Sequence, residues 1–184
     1  MAIVTLLSDF GTVDGYVAAM KGVVLSLAPQ VQLVDLTHDI PPQDIAAGAW
    51  ALAAAQSTFP EGSIHVAVVD PGVGTARRGL LLRRDGQLFV GPDNGLLSWL
   101  RCGEGDEAWS LDVAEAHRGD ASATFHGRDV FASVAGHLAA GRPAASLGSP
   151  YDGDLVTLPR RRFEVPGSPM RPAARWCIST ASAT

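Results

Sequence analysis

Cysteine is scarce: the chain holds two, Cys102 and Cys177, far apart and outside any CxxC or Cys/His ligand spacing. That excludes a disulfide framework and a structural zinc site, and it suits a reducing compartment, so a cytoplasmic location is expected. Basic charge is also short, with 14 Lys and Arg against 19 Asp and Glu and a formal net charge of -5. A broad phosphate-binding surface needs concentrated positive charge, so nucleic acid is not an expected partner. Long apolar runs are missing too. The opening MAIVTLLSDFG has no basic leader region and reaches Ser8 and Asp9 after too few apolar residues for a signal peptide or a membrane span. A soluble chain without a membrane partner is the expectation.

Several catalytic signatures are absent as well. SDFG at Ser8–Gly11 contains the kinase metal-binding tripeptide, but the Gly-rich loop, strand lysine and HRD segment of kinases are lacking. PGVG at Pro71–Gly74 and GPDNG at Gly91–Gly95 have neither a Walker A lysine nor GxGxxG spacing, so they read as tight turns. No GxSxG elbow supports Ser/His/Asp hydrolysis. Neither a metal nor a cofactor is expected.

What is present is an alternation of strands and helices in one domain's worth of chain. Ala2–Leu7, Val31–Leu36 and Ile64–Val69 read as strands, the third apolar enough to be buried on both faces. Tyr16–Leu27 and Gln43–Ala55 have helical spacing, and Gly127–Ala140 reads as a helix closed by Gly141 and Pro143. Leu80–Arg83 and Gln87–Val90 form a hairpin across Asp85 and Gly86, and Trp109–Val113 is a weaker strand. The fold class expected is α/β, with a central, mostly parallel but mixed sheet flanked by helices.

Polar residues collect at strand ends: Ser8 and Asp9 after the first, Thr37, His38 and Asp39 after the second, Asp70 after the third. That edge is where open α/β sheets bind ligands. Taken singly, Asp9 and Asp39 are turn or cap residues, and Asp70 before Pro71 and Gly72 suits the first position of a turn. Together they point to a pocket. His65 and His137 lie inside elements and read as structural, and His117 as exposed. His126 precedes a helix, whose N-terminus disfavours the imidazolium. A neutral His, a carboxylate and an Arg can orient and deprotonate a water, and Asp70, Arg77 and His126 are candidates for such a set, although sequence alone does not show that they meet. Arg78 is read as a solvated neighbour.

Five ordered stretches, TLLSDFGTVDGYVAAMKGVV, VDLTHDIPPQDIAAGAW, FPEGSIHVAVVDPGVGTARR, LFVGPDNGLLS and TFHGRDVFA, lie between Thr5 and Ala132 and carry a resemblance that covers about residues 3–158. They resemble the S-adenosylmethionine (SAM) hydroxide adenosyltransferases, adenosine-forming SAM hydrolases related to the SAM-dependent fluorinase and chlorinase. The resemblance implies an α/β N-terminal domain, a C-terminal β-barrel-like domain, and a homotrimer with active sites between subunits. It implies SAM as substrate rather than cofactor, with Asp70, Arg77 and His126 activating water and Asp9 accepting from the ribose hydroxyls. Asp14, Tyr16 and Gly127 fall in stretches that line the substrate pocket. In the halogenating relatives a tyrosine stands at the position of Asp70. The implied reaction is therefore attack of activated water at ribose C5′, which expels methionine as a neutral thioether and leaves adenosine. A SAM-dependent halogenase and a non-catalytic remnant binding adenosine weakly are the alternatives.

The chain departs from the family after residue 159. Residues 1–159 are expected to form the catalytic α/β domain and residues 160–184 a linker and tail, with the β-barrel domain absent. The tail ARWCISTASAT at Ala174–Thr184 can be encoded by a DNA string whose other frame spells Glu-Val-Val-His-Ile-Asp-Arg-Phe-Gly-Asn, a segment like the one that opens the family's second domain. If Leu and Ile follow there, the frame in use meets a stop after Thr184. A frameshift between Arg160 and Ala173 is the expectation; genomic DNA lacking that segment in the alternate frame overturns it.

Overall fold

In the computed structural model, residues 1–101, 105–111 and 125–159 are described. The sequence carries β1 (Ile3–Ser8), α1 (Tyr16–Leu27), β2 (Gln32–Thr37), α2 (Ile45–Gln56), β3 (Ile64–Val68), β4 (Gly79–Arg84), β5 (Gln87–Pro92) and β6 (Glu107–Leu111). A π-helical segment, Gly127–Ala132, continues as α3 (Ser133–Ala139), and a short strand, β7 (Ser149–Pro150), follows. The expected linker and tail at 160–184, His117 and both cysteines lie outside the described residues. Among the described residues no helix is long and apolar enough to cross a membrane.

The strands form one mixed sheet in the order β2-β1-β3-β5-β4-β6-β7. Pairs β1/β2, β1/β3 and β3/β5 are parallel, and β4 pairs antiparallel with both β5 and β6. The α/β expectation therefore holds, with a parallel half and an antiparallel half. Chain order reverses at β1: the connection from β1 leads to β2 on one side, and the next leads back across to β3. The crevice at the carboxyl ends of β1 and β3 is the switch point at which such sheets bind ligands.

Alternation along the central strands sends side chains to two cores. Val4, Leu6, Val66 and Val68 pack with Met20 and Val24 of α1 and with Val130, Phe131 and Val134 on one face. Leu7, Ala67 and Val69 pack with Ala49 and Leu52 of α2 on the other. Burial on both faces explains the unbroken apolar run of β3. β5 runs on through Gly91 and Pro92, which the sequence presented as a turn. Gly91 is needed there because a Cβ would stand 2.6 Å from the carbonyl oxygen of Ala67.

His65 sits fully buried on β3, as a structural histidine should. Thr5 Oγ1 lies 2.7 Å from its Nδ1, and its ring stacks on Phe89 at 4.7 Å. Burial pushes its pKa down to about 4, an effect the neighbouring Gln87 side chain partly offsets.

Candidate active site

Asp70 is both a turn residue and a chemical group. Its backbone carbonyl accepts from Val73 N at 3.2 Å and starts the turn through Pro71 and Gly72. That leaves the carboxylate to meet Arg77, seven residues on. Arg77 Nε lies 2.9 Å from Oδ1 and 3.0 Å from Oδ2, and Nη2 also donates to Oδ2. The two side chains are only 5% and 10% exposed. A fork-shaped donor facing a planar carboxylate suits this pairing.

The same Nη2 lies 3.1 Å from Nδ1 of the buried His126. A guanidinium only donates, so Nδ1 accepts and the neutral ring carries its hydrogen on Nε2. His126 stands at the start of the π-helical segment, where the Phe125 carbonyl accepts from both Arg128 N and Asp129 N. π-Helical turns occur frequently at functional sites. Phe131 of that segment lies under the Arg77 guanidinium, 5.2 Å away, and Arg77 Nη1 is buried without a hydrogen-bond partner among the described residues. The third residue of the trio therefore arrives from a segment 49 positions away.

Asp9 follows β1, next to the end of β3 that carries Asp70, since Ser8 is in register with Val68. Its Oδ2 accepts from Gln43 N at 2.8 Å. Asp14, Tyr16, Phe125 and Arg128 line an open cleft of about 440 Å³. Tyr16 packs edge-on against Phe125 at 5.1 Å, and Phe10 completes the aromatic group at 6.1 Å from Tyr16 and 6.0 Å from Phe125. This cluster ties the Asp9 loop to the segment bearing His126. Gly127 is buried behind it: a Cβ would meet the Phe10 ring at 3.1 Å and the Met20 sulfur at 3.4 Å, so glycine is what admits the close packing.

Arg78 is exposed, as expected of a solvated neighbour, but it is not without partners. It pairs with Asp93 at 3.1 Å and lies over the Tyr151 ring at 4.4 Å, because the returning segment 150–159 crosses this edge. Phe10, Phe125 and Arg128 were not singled out by sequence, although each lies inside a quoted stretch. Asn94 was also missed; its side-chain amide donates to the carbonyl of Val69, at 2.8 Å, and steadies the strand end before Asp70.

Residues 4–148 match the family model described as the SAM hydroxide adenosyltransferase N-terminal domain. The chain is 47% identical over 159 residues to an (R)-S-adenosyl-L-methionine hydrolase of Salinispora arenicola, covering 85% of this chain and 60% of that one. It is 48% identical over 155 residues to the protein of the same name from Thermus thermophilus, covering 79% and 60%. A fluorinase from an Actinoplanes species matches at 30% identity over 178 residues, covering 84% and 60%. The chain thus spans about 60% of the length of these curated relatives. A crystal structure of an uncharacterized conserved protein from Thermotoga maritima superposes with a TM-score of 0.79 at 31% identity, over 86% of this chain and 62% of that one.

Proposed function

Because the chain belongs to the SAM hydroxide adenosyltransferase family, we propose that it hydrolyses S-adenosyl-L-methionine to adenosine and L-methionine with water activated among Asp70, Arg77 and His126. The observation that carries this reading is the contact of these three side chains, nearly withdrawn from water, at the end of β3 beside the switch point of the sheet.

Roles follow from donor and acceptor chemistry. His126 presents Nε2–H and so orients the water oxygen, while Asp70 is the acceptor that takes the water proton. Arg77 stabilises the hydroxide character that develops, in a site where exclusion of water strengthens such an interaction. The water oxygen forms a bond to C5′ as the C5′–S bond breaks, and the electron pair neutralises the sulfonium. Asp9 holds the ribose hydroxyls, and the cleft at Asp14 and Tyr16 belongs to the substrate pocket. On this reading water is the co-substrate, no cofactor takes part and the location is cytoplasmic, while the homotrimer is the assembly expected of full-length members of the family.

Incubating the purified chain with SAM and separating the products tests the proposal. Equimolar adenosine and methionine from the wild type, and none from Asp70→Ala, are expected. Adenosine released no faster than in buffer refutes it, and 5′-chloro-5′-deoxyadenosine formed on adding chloride would select a halogenase instead.

A further inference from the structure

A second line of hydrogen bonds runs behind the Asp9 loop. Ser8 Oγ lies 2.7 Å from His38 Nδ1, and His38 Nε2 lies 3.1 Å from Asp35 Oδ1. The other Asp35 oxygen accepts from Lys21 Nζ at 2.6 Å. Partial burial works against the charge on Asp35, but hydrogen bonds from Lys21 and His38 outweigh it and hold the carboxyl below its ordinary pKa. A carboxylate only accepts, so His38 donates from Nε2 to Asp35, and in the tautomer with its one hydrogen there Nδ1 accepts from the Ser8 hydroxyl. The Ser8 oxygen in turn accepts from Phe10 N at 3.3 Å.

The residue types are those of a hydrolytic triad, yet Ser8 is 0% exposed and out of reach of any substrate. What the line holds is backbone. Gly11 N donates to the His38 carbonyl at 2.9 Å, so the loop is tied to His38 at Phe10 through Ser8 and at Gly11 directly. Gln43, which donates to Asp9 Oδ2, has a φ of 64, a left-handed conformation that its surroundings must enforce. Asp9 Oδ1 has no partner among the described residues.

We infer that Ser8, His38 and Asp35 are positioning residues that fix Asp9 for the substrate's vicinal diol, and that they thereby set a preference for nucleosides carrying both the 2′- and 3′-hydroxyls. The inference rests on the ribose role of Asp9 proposed above.

Calorimetric titration of the chain with adenosine and with 2′,3′-dideoxyadenosine tests it. The wild type is expected to prefer adenosine by about tenfold or more, roughly one or two well-placed hydrogen bonds to a charged group. In Ser8→Ala this ratio falls to about two or less, with a cooperative thermal melt retained. General loosening would weaken both ligands alike and leave the ratio in place, so the ratio separates positioning from mere stability. His38→Asn keeps an acceptor for Ser8 but drops Asp35, and an intermediate ratio is expected. If Ser8→Ala fails to fold, that variant carries the test, and an unchanged ratio in it overturns the relay. An unchanged ratio in folded Ser8→Ala, with Asp9→Asn erasing it, overturns the relay and spares the diol reading. A wild-type ratio near one, or an Asp9→Asn ratio like that of the wild type, overturns both.

Discussion

Arg77 grips Asp70 through two nitrogens while both side chains are almost withdrawn from water. Removing one partner of a buried charge pair strands the other, at a cost of about 3–5 kcal/mol. Arg77→Ala is expected to lower the free energy of unfolding by about 3 kcal/mol in urea titration and to abolish SAM cleavage. Arg77→Lys keeps the charge without the fork, and should regain part of the stability but not the cleavage. Wild-type stability in Arg77→Ala would contradict a buried pair.

His126 offers Nδ1 to Arg77. In His126→Asn the amide can still accept there, but nothing replaces Nε2–H. Turnover should fall by about a hundredfold, within the range for a group acting on the reacting water, while adenosine affinity changes by less than about threefold. A parallel loss of affinity would mean that His126 binds the nucleoside instead.

His65 makes stability depend on pH. Its folded pKa is about 4, against 6.5 for an ordinary histidine, so between these values the unfolded chain binds a proton that the folded chain refuses. The contribution is complete above about pH 6.5 and is lost as pH falls toward 4, about 3 kcal/mol in all. Urea titrations across this range, with the His65 ring followed by NMR, check it; titration of the ring near 6.5 would exclude the effect.

Gly91→Ala places a methyl against the backbone of β3, which cannot rotate away as a side chain can. A loss of about 2–3 kcal/mol is expected by thermal or urea unfolding, the upper part of the range for overpacking. An unperturbed midpoint would show that β5 does not approach β3 this closely.

Periodicity located the framework because its causes are local. Tyr16–Leu27 coincides with α1, and the apolar run from Ile64 is β3. Two features escaped because a neighbour decides them. Gly91 and Pro92 carry turn chemistry, but pairing with β4 extends the strand through both. Ser149–Pro150 has no strand pattern, yet the edge of β6 recruits it. In the site, Asp70 and Arg77 share one loop and could be weighed as a pair from spacing. Residue type and the family resemblance named His126 as their partner, but the contact itself needs the helical segment after His126 docked on the sheet, and the bond from Ser8 to His38 spans 30 residues and left no sign in the sequence.

Lys21 is the only lysine in the chain, and it stands at the outer end of the line that runs through Asp35 and His38 to Ser8. Its side chain is 32% exposed, open enough for acylation in water. Apart from an α-amino group, an amine-directed reagent therefore has one address here. Attaching a neutral acyl group removes the cation that faces Asp35 without editing the gene, and a fluorescent one would put a reporter on α1, at the outer end of the line that leads to the Asp9 loop.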